Sequence, residues 1–198
     1  VIGGGAMGSA FTFPCIENNN SVTITEPYNK IFIKNLSSKN KFHSALKINL
    51  PKKLKFRKFT NSLLKEKFDL IVIALSLSGI DFIGKKLKIL KTKSPILVLT
   101  KGLKYEKKNK KILTISELLK KNYNLPDISI LKGPCLAKEL AQKKQTNVII
   151  ANKNLNKAKQ IGEMISTNYY LVEFSRDTFG VEVCSAIKNI YSMIIGAG

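Results

Sequence analysis

The chain has 198 residues, 44% of them hydrophobic, which is enough for one sizeable core and typical of a globular protein. No apolar run approaches the roughly 20 residues that a bilayer span requires, so no membrane span is expected. Cys15, Cys135 and Cys184 have neither metal-ligand spacing nor a paired framework. This pattern predicts no metal site and favours a reducing, cytoplasmic compartment.

The formal net charge is +21, from 34 basic and 13 acidic residues. Such a charge can indicate a nucleic-acid or anionic-membrane partner. Only Arg57 and Arg176 are arginines, however, whereas proteins that read phosphates and base edges rely on the arginine fork. We therefore expect the lysines to cover solvated helix faces and the protein to have no nucleic-acid partner. Salt-sensitive binding of DNA or RNA would instead favour a nucleic-acid partner. The positive field would attract small phosphorylated ligands.

Short apolar runs alternate along the chain with longer amphipathic stretches. The predicted strands are Val1-Ile2, Ser21–Thr25, Lys55–Phe59, Leu70–Leu75, Ile96–Thr100, Ile128–Leu131, Val148–Ala151 and Tyr170–Phe174. A helix is expected after the first strand, where Pro14 should kink or shorten it. The clearest other predicted helices are Ile80–Leu90, Lys111–Lys121, Leu136–Lys143 and Leu155–Thr167. This alternation predicts an α/β fold with a doubly wound, mostly parallel sheet of Rossmann type.

A glycine-rich loop directly follows the first predicted strand, with the spacing Gly3-x-Gly5-x-x-Gly8. In such a loop the first glycine permits a tight turn and the second lets the backbone approach a pyrophosphate. The third glycine lets a helix pack close to a strand. The loop therefore predicts a dinucleotide site, although a glycine-rich turn without a ligand is the simpler alternative.

The second predicted strand leads to Glu26, which stands 18 residues after Gly8. A carboxylate near this position accepts hydrogen bonds from the ribose hydroxyls of adenosine and repels a 2′-phosphate. Glu26 therefore favours NAD over NADP as the cofactor. The alternative is a glutamate that merely lies on the surface.

Two further turns carry candidate ligand-binding groups. Lys101 follows a predicted strand at the carboxyl edge of the sheet, where open α/β folds bind ligands, and Gly102 gives its loop freedom to turn the amine inward. The alternative is one more solvated lysine. The second turn is Gly133-Pro134-Cys135, where a helix start can bind an anion or a cofactor. Cys135 could be a nucleophile, but the only histidine, His43, is expected in a distant, polar, lysine-rich loop.

The last predicted helix, from Gly180 onward, is nearly all apolar apart from one line of residues, Val181, Ser185, Lys188 and Ser192, with Asn189 beside it. A lysine on such a helix must find a partner, reach water or lower its pKa. Burial and nearby cations such as Lys101 would lower the pKa, which suits a general base near neutral pH. A lysine that extends its amine to solvent is the alternative.

Four blocks together resemble the NAD(P)-dependent glycerol-3-phosphate dehydrogenases, in order and approximate spacing and over essentially the whole chain. They are Gly3–Gly8, Thr100–Leu103, Gly133–Glu139 and Gly180–Asn189. The resemblance implies that Lys188 is the proton acceptor and that Lys101 contacts substrate near the nicotinamide. The other site residues that it implies are Gly133, Cys135 and Asn189 for the substrate, and Ala6, Met7 and Ala137 for the cofactor.

The resemblance implies an oxidoreductase that interconverts sn-glycerol 3-phosphate and glycerone phosphate with NAD, or with NADP as the alternative cofactor, and feeds glycerophospholipid synthesis. Residues 1–177 would form the Rossmann domain, and residues 178–198 the first helix of an all-α substrate domain. The rest of that domain lies outside this chain, so we expect an incomplete enzyme, a homodimer when full length. The alternatives are an NAD-binding remnant without catalysis and a related dehydrogenase acting on another hydroxy acid.

The chain departs from the family pattern at Leu75-Ser76, where a Pro-Ser pair is common, and at two positions that bear on the ligands. Cys135 stands where the family often has serine or threonine, and Pro27 stands where bacterial members often carry a basic residue that assists NADP binding. Pro27 beside Glu26 therefore favours NAD.

Overall fold

The computed structural model describes residues 1–29, 41–107, 109–125 and 127–196. The helices are α1 (Ala6–Glu17), α2 (Asn61–Lys65), α3 (Ile80–Ile89), α4 (Ile115–Tyr123), α5 (Ala137–Ala141), α6 (Leu155–Ile165) and α7 (Thr178–Gly196). The strands are β1 (Thr23–Ile24), β2 (Phe42–His43), β3 (Ile48–Asn49), β4 (Lys55–Phe56), β5 (Ile71–Ile73), β6 (Ile96–Val98), β7 (Leu103–Glu106), β8 (Lys111–Thr114), β9 (Ile128–Lys132), β10 (Thr146–Ala151) and β11 (Tyr170–Ser175).

The central sheet contains five strands in the order β11-β10-β9-β6-β5. The first two residues extend it, because Ile2 forms parallel bridges to both Thr25 and Ile73. β1 pairs in parallel with β4 beyond them. The resulting parallel order, β4-β1-(1–2)-β5-β6-β9, is that of a dinucleotide-binding doubly wound sheet. β10 runs antiparallel to β9, and β11 runs parallel to β10.

Apolar side chains alternate between the two faces of this sheet. In β5, Val72 points into one cluster, whereas Ile71 and Ile73 point into the other. Helices α1, α5 and α6 cover the first face, and α3 and α4 cover the second. Each fully buried Leu, Ile or Phe contributes about 1.5–3 kcal/mol of transfer free energy. Burial on both faces explains the continuous apolar runs and confirms the predicted fold class.

Seven of the eight predicted strands are present, with bounds that differ by at most three residues. At the first, Val1-Ile2, only Ile2 pairs, through isolated parallel bridges. The predicted helix Lys111–Lys121 is wrong over its first four residues. These residues form β8, which pairs antiparallel with β7. The helix begins only at Ile115, because Thr114 and Glu117 form a reciprocal capping box. The hairpin β2–β3 and the short α2 were not predicted.

Pro14 lies inside α1, but the helix continues to Glu17, so the predicted shortening does not occur. The amide of Asn18 donates to the Pro14 carbonyl at 3.1 Å and completes the last turn.

The last helix, α7, packs against β8, β9 and β10 with its amino-terminal part. Glu182 in that part is buried. Further along the helix, large apolar side chains are exposed: Ile190, Tyr191, Met193, Ile194 and Ile195. Within the described ranges, no helix is both long enough and apolar enough to cross a membrane.

Candidate cofactor and substrate site

The three glycines of the amino-terminal loop have distinct environments. Gly3 has φ +117°, and a Cβ there would lie 2.4 Å from the carbonyl oxygen of Ala74 at the end of the neighbouring strand. A Cβ on Gly8 would lie 2.1 Å from the Gly3 oxygen and 3.0 Å from the Ala74 Cβ. A Cβ on Gly5 would meet nothing within 4 Å. The first and third glycines are therefore required by packing, whereas the second borders open space.

Glu26 lies just after β1 and reaches back to this loop. Its Oε2 accepts a hydrogen bond from the Gly4 amide at 2.7 Å, and its Oε1 accepts one from the Tyr28 amide at 2.8 Å. Each carboxylate oxygen has a second lone pair with which it could accept another hydrogen bond. The predicted ribose acceptor and the predicted pyrophosphate loop are thus in direct contact.

The chemistry of this region fits a dinucleotide. Gly5 is the N-cap of the 12-residue α1 and has no side chain to cover the first-turn amides. Those amides and the helix dipole favour an anion in the open space before Gly5. In doubly wound sheets, the pyrophosphate of a dinucleotide lies at this helix end and the adenosine ribose lies beside a carboxylate placed like that of Glu26. Ala6 and Met7 form the first turn of the same helix.

His43 is not in a polar loop, and that expectation is wrong. It lies on β2 and is 2% exposed. Its Nε2 donates to the Gly4 carbonyl at 3.1 Å, and its Nδ1 accepts from the Leu46 amide at 3.2 Å. The neighbouring lysines obscured this burial; the apolar residues Leu46 and Leu50, both in the core, were the available signal.

The second half of the site lies at the carboxyl ends of β6 and β9. Lys101 follows β6, and Cys135 follows β9 after the Gly133 turn. Partial burial and the positive charge of Lys188 on α7 lower the pKa of Lys101, while Cys135 raises it. Lys101 thus interacts electrostatically with Cys135 and Lys188, although the three residues are far apart in sequence.

A buried lysine that was not predicted from the sequence, Lys132, contacts the segment that carries Lys101. Lys132, the last residue of β9, is 4% exposed and donates through Nζ to the carbonyl of Thr100. Burial lowers the pKa of Lys132 to about 8, an effect that Glu182 opposes and Lys101 reinforces. The carboxylate of Glu182 in turn accepts hydrogen bonds from the amide and hydroxyl of Ser116. The signal in the sequence was a single lysine at the end of an apolar strand.

Gly133 is constrained by close packing, and Cys135 is buried. A Cβ on Gly133 would lie 2.7 Å from the carbonyl oxygen of Asn147 on the adjacent strand. Burial raises the pKa of Cys135 to about 11, so this residue is a thiol and not a thiolate nucleophile at neutral pH. Pro134 lies outside the five-residue α5, which begins at Ala137.

The glycine loop, Glu26, Lys101 and the Gly133 turn share one edge of the sheet, because the parallel strands that precede them all end there. The backbone of Asn189 belongs to α7, next to Lys188; its side chain lies outside the described part of the structure. Among the described residues, no group of three His, Cys, Asp or Glu could hold a metal ion.

The strand order, the glycine loop and the carboxylate after β1 define a dinucleotide-binding domain of Rossmann type. The sequence model of the family "NAD-dependent glycerol-3-phosphate dehydrogenase N-terminus" matches residues 1–158. The chain belongs to this family.

Named relatives agree with this assignment. A glycerol-3-phosphate dehydrogenase [NAD(P)+] of Clostridium botulinum is 30% identical over 98% of this chain and 58% of its own length. An NADP(+)-dependent glycerol-3-phosphate dehydrogenase of Archaeoglobus fulgidus is 28% identical over the same shares. The crystal structure of glycerol-3-phosphate dehydrogenase from Coxiella burnetii has the same fold, with a TM-score of 0.82 and 22% identity over 97% of this chain and 57% of that one. The chain thus spans somewhat more than half the length of the curated relatives that it matches.

Proposed function

We propose that this chain is the cofactor-binding part of an enzyme that interconverts sn-glycerol 3-phosphate and glycerone phosphate with a nicotinamide dinucleotide. One observation carries the proposal: the glycine loop, Glu26 and Lys101 all follow strands that end at the same edge of one parallel sheet, and Lys101 is influenced by the charge of Lys188. A dinucleotide bound along this edge extends from the first group toward the second. The names of the relatives agree with this activity.

The cofactor is held by Gly3, Gly5, Ala6, Met7, Gly8 and Glu26, with Lys101 and Ala137 toward the nicotinamide end. The charge of Glu26 favours NAD, because a carboxylate at the ribose repels the 2′-phosphate of NADP. Pro27 supplies no cation that could bind this phosphate. NADP remains the second cofactor, since the Archaeoglobus fulgidus relative is named as NADP(+)-dependent.

Lys188 acts as the general base and takes the proton of the C2 hydroxyl during oxidation. Lys101 binds the phosphate or polarises the reacting oxygen, and Gly133, Cys135 and Asn189 line the substrate. The bound nicotinamide supplies the hydride acceptor, while the protein supplies position and electrostatics. The excess of lysines raises the local concentration of the doubly charged phosphate ester.

Residues 1–177 form the dinucleotide-binding domain in this proposal, and residues 178–198 begin the substrate domain. The complete protein works as a cytoplasmic homodimer, has no nucleic-acid partner and supplies glycerol 3-phosphate for glycerophospholipid synthesis. The small-molecule substrate fits the phosphate-attracting charge of the chain.

The test is an assay of the complete protein for NADH oxidation with glycerone phosphate and for NAD+ reduction with sn-glycerol 3-phosphate. Turnover with these substrates, and not with 2-hydroxy acids, supports the proposal. NADH binding without turnover would instead favour a non-catalytic remnant. Turnover of another hydroxy acid would favour a related dehydrogenase, and displacement of NADH by DNA would favour a nucleic-acid partner.

A further inference from the structure

Side chains hold both backbone polar groups of Gly4, which belong to the two successive peptide groups of the loop. Its N–H donates to Glu26 at 2.7 Å. Its carbonyl accepts from the Ser9 hydroxyl at 3.0 Å and from His43 Nε2 at 3.1 Å. Ser9 and His43 are both buried, so these bonds form away from competing water.

The hydrogen-bond partners fix the state of the His43 ring. Nε2 faces a carbonyl and therefore carries the hydrogen, whereas Nδ1 faces the amide of Leu46 and therefore accepts. The ring thus forms hydrogen bonds through both of its nitrogens. It joins the turn of the β2–β3 hairpin to the glycine loop, and that hairpin is anchored in the core by Leu46 and Leu50.

This contact matters because a glycine-rich backbone is easily reoriented. Gly3, Gly4 and Gly5 are consecutive, so little steric resistance prevents the peptide between Gly4 and Gly5 from rotating. If it rotated, the Gly4 carbonyl could face the open space at the amino end of α1, where its partial negative charge would repel a pyrophosphate. Ser9 and His43 hold this carbonyl toward the protein interior and leave the helix amides to face the ligand.

We propose that His43 is a positioning residue for the dinucleotide, which holds the Gly4 carbonyl inward and keeps the loop in its anion-binding conformation. This inference rests on the proposed function, because it presumes that the loop binds a nicotinamide dinucleotide. His43 does not touch the reacting atoms, so it acts on cofactor affinity and not on the chemical step.

Three variants of the complete protein separate the two ring contacts. The amide nitrogen of His43→Gln can reach the position of Nε2, while the oxygen of His43→Asn can replace Nδ1 as the acceptor for Leu46. His43→Leu provides neither group. A hydrogen bond of about 1 kcal/mol corresponds to roughly a fivefold change in affinity, and a loop that reorients loses more. We therefore expect NADH to bind about five- to twentyfold more weakly to the Asn and Leu variants, and within about threefold of normal to the Gln variant.

The readouts are the Kd for NADH by fluorescence titration, the KM for NAD+, kcat at saturating NAD+ and the thermal midpoint without cofactor. The exposed Ser44→Ala in the same hairpin is the control. A positioning role raises KM for NAD+ and leaves kcat nearly unchanged. If the Asn and Leu variants melt earlier but bind NADH normally, or if the Gln variant binds as weakly as the Leu variant, the inference is wrong. If the unaltered protein does not bind NADH, the proposed function fails first and this inference with it.

Discussion

The carboxylate of Glu26 accepts a hydrogen bond from the Gly4 amide at 2.7 Å and so joins the end of β1 to the glycine loop. A second bond, from the Tyr28 amide at 2.8 Å, holds the other carboxylate oxygen. Two backbone donors therefore keep this negative charge in place before any ligand binds. A fixed charge discriminates better than a mobile one, because it cannot turn away from a 2′-phosphate.

Glu26→Gln is expected to shift cofactor preference toward NADP. The amide keeps an oxygen for one backbone donor and removes the charge that repels the 2′-phosphate. We expect the ratio of kcat/KM for NADP+ to that for NAD+ to rise about tenfold, which corresponds to about 1.4 kcal/mol. Glu66→Gln is the matched control, since it removes the same charge from the exposed pair with Arg57. An unchanged ratio in Glu26→Gln would place this carboxylate away from the adenosine ribose.

Gly5→Ala and Gly8→Ala are expected to affect different properties. The Gly8 methyl would meet the Gly3 carbonyl oxygen at 2.1 Å, so the backbone must shift; we expect the free energy of unfolding to fall by about 2 kcal/mol or more. The Gly5 methyl meets no protein atom within 4 Å, so stability should change by less than about 0.5 kcal/mol.

The two glycine variants also separate an effect on NADH binding from an effect on stability. In Gly5→Ala the methyl group would occupy the space in which the pyrophosphate approaches the backbone, so we expect NADH binding to weaken about tenfold or more without a change in thermal midpoint. Denaturant unfolding and NADH titration measure the two effects. Normal NADH affinity in Gly5→Ala would mean that the dinucleotide does not approach this glycine.

The sequence was most informative where one physical requirement dominated. Continuous apolar runs predicted the buried parallel strands, because both faces of those strands are covered. Segments with a mixed pattern were predicted less well: Ile112 and Leu113 continue the apolar spacing of α4, yet they belong to β8. The capping box of Thr114 and Glu117 marked the true start of that helix.

The site was predictable only as far as its motifs extended. The glycine loop, Lys101 and Lys188 stood out through spacing and through charge in apolar surroundings. His43 and Lys132 did not, because each acts through a contact with a backbone carbonyl distant in sequence, Gly4 and Thr100 respectively. No local pattern encodes such a contact, since it depends on how the strands are arranged in the sheet.

The pH dependence of stability should report on Lys132. Its pKa is lowered to about 8 in the folded protein, from 10.5, and burial is the main cause. Between these two pH values the unfolded chain binds more protons than the folded one, so this residue makes stability rise with pH in that window. Below about pH 8 the folded protein bears the full cost of the buried charge, which is on the order of 3 kcal/mol.

Lys132→Met should remove this pH dependence. As the pH rises from about 8 to 10, we expect the unfolding free energy of the unaltered protein to increase relative to that of the variant. The exposed Lys159→Met is the control for a lysine with ordinary solvation. Denaturant titrations at several pH values measure the effect; parallel curves for the unaltered protein and Lys132→Met would show that Lys132 titrates as it does in water.

Lys188→Ala in the complete protein is expected to lower kcat/KM for sn-glycerol 3-phosphate by about 10³-fold, within the range that general acid–base groups contribute. The Kd for NADH should change by less than about threefold, because the glycine loop and Glu26 are untouched. Lys159→Ala, on the exposed side of α6, is the control for loss of one positive charge. A small primary amine added to the solution should restore part of the turnover of Lys188→Ala, since it can enter the space left by the side chain and accept the hydroxyl proton. Equal losses of NADH binding and turnover, with no rescue by the amine, would instead show that Lys188 maintains the structure of α7.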